Sequence, residues 1–176
     1  MPDTTKTREE ILSGIIETEA ALNKIQDVDV LMEQILVESR KVLRADAGSI
    51  YDRDGDRLAI HYAQNDTLQR QLPPGQKIVY SFFSFPINEK TIAGYSALTK
   101  QLVNEPDVYQ ISPDKPYKFG RQSDSVSGYR TVSNLTIPLQ TSNGNILGVL
   151  KVLNALDEEG NVTSFSKDDE LYISHF

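Results

Sequence analysis

Thr131 to Asn154, TVSNLTIPLQTSNGNILGVLKVLN, constrains the fold more than any other stretch, because it reads as two long strands joined by a tight turn. Leu135, Ile137 and Leu139 alternate with Asn134, Thr136 and Pro138, a period of two that gives a strand one apolar face. Asn143-Gly144 supplies the turn, since both residue types tolerate the positive φ of a short hairpin loop. The second arm, Ile146 to Leu153, is apolar on both faces except at Lys151, as befits a strand covered on both sides. It is therefore predicted to lie mid-sheet. Pro138 cannot donate to a ladder and Gly148 brings no side chain, so a bulge or close backbone approach is expected here.

The 176 residues suit one domain plus an appendage. A net charge of −7 leaves no basic footprint for nucleic acid or for an anionic membrane surface. No apolar run approaches a membrane span, and MPDTTKTREE lacks the apolar core of a signal peptide. The chain has no cysteine, which removes disulfides, thiolate metal sites and thiol catalysis together. With no leader, the expected location is cytoplasmic. The apolar, helix-like ending Ile173-Ser174-His175-Phe176 reads as a cut within a longer protein, with an effector domain expected beyond Phe176.

Along the chain, Glu9 to Ile25 is predicted helical, with Ile11, Ile15, Thr18, Leu22 and Ile25 in heptad spacing. That seam suits either a homodimer contact or packing on its own domain. Residues 1–26 are thus expected as a signalling or dimerisation helix and 27–176 as the main domain. Asp27 or Asp29 caps a second helix to about Leu43, with Leu31, Ile35, Leu36, Ser39, Val42 and Leu43 turned inward. Ala47–Asp52 and Arg57–Gln64 flank Asp54-Gly55 as a hairpin. Lys77 to Phe85 is β-prone, Thr91 caps a helix from Ile92 to about Lys100, and Gln101–Asn104 is a small strand. Glu105 to Arg130 is long, rich in Pro, Gly and aromatics, and reads either as a lid or as coil anchored by its aromatics. Ser166-Lys167-Asp168-Asp169 is a Ser-x-x-Asp start for a last helix. The sum is an α+β domain with a mostly antiparallel sheet, terminal helices on one face and the loop-rich lid on the other.

Four blocks in order, FP followed by TIAGYSALTKQLVNEPDVY, then SGYRTVSNLTIPL, GNILGVLKVLN and FSKDDE, resemble a GAF domain. The resemblance is to the regulatory GAF domains of cyclic-nucleotide phosphodiesterases and bacterial signalling proteins, and it covers about Gln26 to Phe176. It implies a six-stranded antiparallel sheet with a pocket beneath the lid. It also implies a regulatory, usually dimeric role, with a cyclic nucleotide or another small anionic or planar molecule as ligand. Asn154, Phe165, Asp169 and Glu170 match the phosphodiesterase Asn-Lys…Phe-x-x-x-Asp-Glu signature. Ala155 stands where the lysine belongs, so that signature's Lys–Asp ion pair cannot form in the same way. Lys151 stands where some nucleotide-binding members carry an acid.

By position, the resemblance places ligand contacts at Ser49, Tyr62, Ile92, Ala93, Ser127 and Thr131. Each has a chemical rationale. The Ile92 and Ala93 N–H groups lie at a helix N-terminus, where they suit a phosphate or carboxylate. Ser49 offers a hydroxyl, Tyr62 a stacking face, and Ser127 and Thr131 polar groups around Gly128-Tyr129. No catalytic or metal site and no cofactor is named by the residues: His61 and His175 share no ligand spacing, and Asp168-Asp169 suits a helix start. The expected function is a small-molecule sensor within a larger signalling protein, not an enzyme. The alternative is a ligand-free dimerisation and linker module.

Overall fold

A computed structural model describes residues 7–22, 27–78 and 84–175. The predicted hairpin is its centre. Strand β5 (Asn134–Gln140) and strand β6 (Ile146–Leu156) pair antiparallel, and β6 also pairs with β1 (Ala45–Asp54) on its other edge. With β2 (Arg57–Asn65), β3 (Ser84–Pro86) and β4 (Val103–Glu105) the sheet order is β3-β2-β1-β6-β5-β4. The short β7 (Val162–Thr163) pairs with the end of β6. All strand pairs are antiparallel, and β6 lies between β1 and β5, so its reading as a central strand holds.

The turn differs from expectation in detail. Gly144 alone takes a positive φ, 75°, while Asn143 does not. The Gly144 N–H donates to the Thr141 carbonyl at 2.8 Å and the Thr141 N–H to the Asn145 carbonyl at 2.9 Å. That is a three-residue loop with one left-handed residue, and the register shifts at Leu139/Gln140 to absorb it. Gly148 meets the expected close approach: a Cβ there would stand 2.0 Å from the Tyr51 carbonyl oxygen. Pro138 sits beyond the end of β4, so its missing N–H removes no rung from that pair.

Helix α1 (Arg8–Leu22), α2 (Val28–Val42) and α6 (Lys167–Ile173) lie behind the sheet. Ile15, Ile35, Leu36, Tyr172 and Ile173 form one buried cluster with Ile50, Leu135, Ile137, Leu150 and Val152 of the strands. Fully burying one such side chain contributes about 1.5–3 kcal/mol. Ile11 and Leu22 pack beside this cluster, so the α1 seam turns toward its own domain; Ile25 lies outside the described residues. Asp27 caps α2 by accepting from the Asp29 and Val30 N–H groups. Ser166 and Asp169 form a reciprocal capping box on α6.

On the other face lie α4 (Ile92–Thr99), a 3-10 turn at Val108–Gln110 and α5 (Gln122–Ser127), with α3 (Asp66–Arg70) following β2. Of the predicted strand Lys77–Phe85, residues 79–83 lie outside the described residues, Ser84 and Phe85 open β3, and Lys77 and Ile78 are in no strand.

Candidate functional site

Alternation along β1 decides which side chains face the lid. Ile50 joins the helix-side core, whereas Tyr51 packs with Ala93 and Ala97 of α4. Ser49 therefore also faces the α4 side, opposite Lys151 on β6 and Ala63 on β2. Tyr62 pairs with Ile50 and packs against the helix-side core, so Tyr62 and Ser49 lie on opposite faces of the sheet. The cause is a bulge between Ile50 and Tyr51 that leaves His61 as the extra residue on β2. His61 sits between two carboxylates, Nδ1 toward Asp52 and Nε2 3.4 Å from Asp29. Burial, then the charges of Asp29, Glu33, Asp27 and Asp52, push the Tyr62 phenol up.

The entry to α4 is built as its sequence requires. Thr91 Oγ1 accepts from the Gly94 N–H at 3.0 Å, and Gly94 is needed because a Cβ would meet the Asn88 carbonyl at 2.5 Å. The Tyr95 N–H closes on the Thr91 carbonyl, which leaves the Ile92 and Ala93 N–H groups as the first-turn donors outside the helical ladder. Their side chains are buried, Ile92 against Val103, Val108 and Tyr117, Ala93 against Tyr51 and Val149. A parallel bridge between Thr91 and Lys118 lays lid backbone against this end of the helix.

The lid is tied down by polar groups. The Asp124 carboxylate accepts from Tyr109 Oη (2.9 Å), the Thr131 N–H (2.8 Å) and Thr131 Oγ1 (2.9 Å). Those bonds occupy the Thr131 hydroxyl as a donor, and Thr131 is buried. The Arg121 and Arg130 guanidinium groups stand over the Tyr109 ring at 4.8 and 4.3 Å. Hydrogen bonding to Asp124 raises the Tyr109 phenol, followed by burial, with the two arginines opposing. Ser127 is exposed and closes α5: its Oγ donates to the Ser123 carbonyl and accepts from the Tyr129 N–H. Tyr117 donates to the buried Glu105 carboxylate at 2.6 Å and fixes the lid to the sheet edge at β4.

Asn154 fastens the lid's far end. It holds a left-handed φ of 54°, and its Oδ1 accepts from the Val132 N–H at 2.7 Å. Its Nδ2 donates to the Arg130 carbonyl at 2.8 Å and to Tyr129 Oη at 2.9 Å. Burial, then the nearby Asp46 carboxylate, push the Tyr129 phenol well up, so it stays neutral. Asp46 is buried and also receives Thr67 Oγ1 at 3.0 Å. At the other signature positions, Glu170 accepts from Asn104 Nδ2 at 2.8 Å and pairs with Lys167. Asp124, Glu105 and Asp46 were not singled out from sequence, because their partners lie on separate elements.

Open clefts of ≈ 430 to ≈ 530 Å³ lie around the terminal helices and the sheet's margins. Tyr62 lines one of them, together with Glu33, Arg40, Gln64, Asp66 and Lys77. Ser49, Ile92, Ala93, Ser127 and Thr131 line none of these four. Among the described residues, no helix is long and apolar enough to cross a membrane.

A six-strand antiparallel sheet backed by terminal helices and fronted by a tethered lid defines the class of α+β domain to which this chain belongs. The chain belongs to the GAF domain family, whose profile matches residues 27–175. As a GAF domain it is a regulatory sensor module of the kind found in signalling proteins such as phosphodiesterases. It is similar to the dual 3',5'-cyclic-AMP and -GMP phosphodiesterase 11 of Drosophila melanogaster, 36% identical over 85 residues, covering 48% of this chain and 5% of that protein. It is also similar to the cGMP-specific 3',5'-cyclic phosphodiesterase of the same organism, 26% identical over 149 residues, 73% of this chain and 11% of that protein. The chain thus spans about a tenth or less of these relatives. In fold it matches the GAF domain of a phosphoenolpyruvate-protein phosphotransferase from Coxiella burnetii, with TM-score 0.66, 16% identity and coverage of 95% and 88% of the two chains. It likewise matches a free methionine-R-sulfoxide reductase from Neisseria meningitidis, with TM-score 0.66, 15% identity and coverage of 98% and 87%.

Proposed function

We propose that this GAF domain senses a small molecule on the lid-facing side of its sheet, within a larger cytoplasmic signalling protein. The observation that carries the reading is the lid itself. Residues from Glu105 to Val132 are fastened at Glu105–Tyr117 and Asn154–Val132 and braced within by Asp124–Thr131, and the Thr91–Lys118 bridge lays them against the start of α4. A ligand that binds the Ile92 and Ala93 N–H groups, Ser49 and Thr131 competes with these tethers and so changes how the lid is held. The output leaves through α1 and α6, which share one core with the back of the sheet. On this reading residues 1–26 carry the signal toward a partner subunit in a homodimer, and an effector domain follows the last helix. A cyclic nucleotide is the first ligand to try, given the phosphodiesterase relatives.

A ligand that binds only the native state raises its melting temperature, because it stabilises by RT ln(1 + [L]/Kd). A melting screen of cyclic nucleotides and small metabolites should give a concentration-dependent rise with one of them. No rise with any compound would sink the sensor reading. The burial of Ser49, Ile92, Ala93 and Thr131 favours a second reading, a ligand-free dimerisation module. Sedimentation across a concentration series decides it: a monomer at the highest concentration removes it.

A further inference from the structure

We propose that Lys151 is the residue that selects the ligand, and that the ligand carries an oxyanion, a carboxylate or phosphate, attached to an apolar or planar body. This rests on the reading of the lid-facing side as a ligand site and adds the charge that the ligand must bear. Ser49, Lys151 and Thr136 stand in one row across the three central strands, β1, β6 and β5. The row lies on the α4 side, next to Tyr51 and Val149 of the core beneath α4. Ser49 and Thr136 are buried, and Lys151 is half-buried between them.

The Lys151 ammonium has a phenol for company rather than a carboxylate. Its Nζ is 3.0 Å from Tyr51 Oη and 5.1 Å from the centre of the Tyr51 ring. Among the described residues it forms no ion pair within 4.0 Å. Arg40, another cation held deep in the domain, is treated differently. It pairs with Asp66 at 2.7 Å and also reaches Gln64 and the Ala45 and Asp46 carbonyls. A chain with 25 acidic against 18 basic side chains does not lack carboxylates to place there. A half-buried cation held by a neutral phenol and a ring face retains unmatched charge. An oxyanion laid over the row would match it, with Ser49 supplying a hydroxyl donor. The α4 first turn adds to the same preference, since Tyr51 packs on Ala93.

The test uses thermal melts of the whole chain with cyclic GMP, guanosine, 2-oxoglutarate and inorganic phosphate as probes, on wild type, Lys151→Met and Lys151→Arg. Guanosine carries the base and sugar without the charge; 2-oxoglutarate and phosphate separate a carboxylate source from a phosphate one. At least one anionic probe should raise the wild-type melting temperature while guanosine does not. Lys151→Met should weaken that probe tenfold or more, and Lys151→Arg should keep it. As a readout that needs no folded Met variant, ¹³C-dimethylated lysines of the wild type are titrated by NMR, with Lys151 assigned by its loss in Lys151→Arg. Its signal should move with the anion and not with guanosine. Guanosine binding as well as cyclic GMP, or Lys151→Met binding the anion within twofold of wild type, overturns the proposal and leaves the sensor reading standing. If no anionic probe shifts the wild-type melt or moves the Lys151 signal, the proposal is overturned, and the sensor reading falls with it only if the wider melting screen is silent too.

Discussion

Replacing Asn154 tests whether one side chain holds the lid to the central strand. Asn154→Ala removes an acceptor from the Val132 N–H and a donor from the Arg130 carbonyl and Tyr129 Oη, at 2.7, 2.8 and 2.9 Å. Each net hydrogen bond is worth about 1 kcal/mol, and a buried group left unpaired costs about 1–3 kcal/mol. Asn154 is 2% exposed, so water does not easily replace these partners. Alanine also tolerates the φ of 54° less well than asparagine, and the left-handed region costs an ordinary residue roughly 1–2 kcal/mol. The sum is about 4 kcal/mol, or a fall of roughly 8–16 °C in melting temperature for a chain of this size. Asn154→Gly loses the same bonds but not the backbone fit. Its looser unfolded chain gives back about 0.4–1 kcal/mol of the relief, so it should melt slightly above Asn154→Ala. Circular dichroism melts give the stabilities, and hydrogen exchange at the Val132 amide reports the local opening directly. An Asn154→Ala protein melting within about 2 °C of wild type, with the Val132 amide still protected, would refute the reasoning.

Ser39 faces the core from α2 with its hydroxyl buried and without a hydrogen-bond partner among the described residues. Ser39→Ala removes that orphan and improves helix propensity, so denaturant unfolding should show a gain of about 0.5–1.5 kcal/mol; a loss would show a partner for the hydroxyl. Tyr117 and Tyr129 are both pushed up from the usual 10.0, first by burial and then by their carboxylate neighbours. A raised folded value means that stability is whole below the unfolded phenol value and is lost as pH rises through it toward the folded one. Absorbance titration should therefore show these two phenols ionising only together with alkaline unfolding, whereas reversible ionisation of all 8 tyrosines in the folded protein would contradict the burial.

The local chemistry of this chain was legible in its letters. Alternation at Leu135, Ile137 and Leu139, the two-sided apolar run of β6 and the caps at Asp27, Thr91 and Ser166 are consequences of period and of orphan N–H groups, which neighbours in sequence satisfy. Gly148 also announced a close approach, though not that the Tyr51 carbonyl makes it. The candidate site was legible only in part. Which face Tyr62 takes depends on a bulge on β2, and a single inserted residue reverses every side chain beyond it. The heptad spacing of α1 fits a partner helix or its own domain, and only the folded chain shows Ile15 sharing a buried cluster with Ile35, Leu36 and Tyr172.

The sequence by itself therefore determined the elements, their caps, the central place of β6 and the membership of a regulatory family, because each rests on residues near one another in the chain. Tertiary structure alone decided that Asp124, Glu105 and Asn154 fasten the lid and that Lys151 meets a phenol instead of an acid. Those partners are brought together from separate strands and loops, and the cost of burying an unmatched charge or polar group is set only when the chain closes around it.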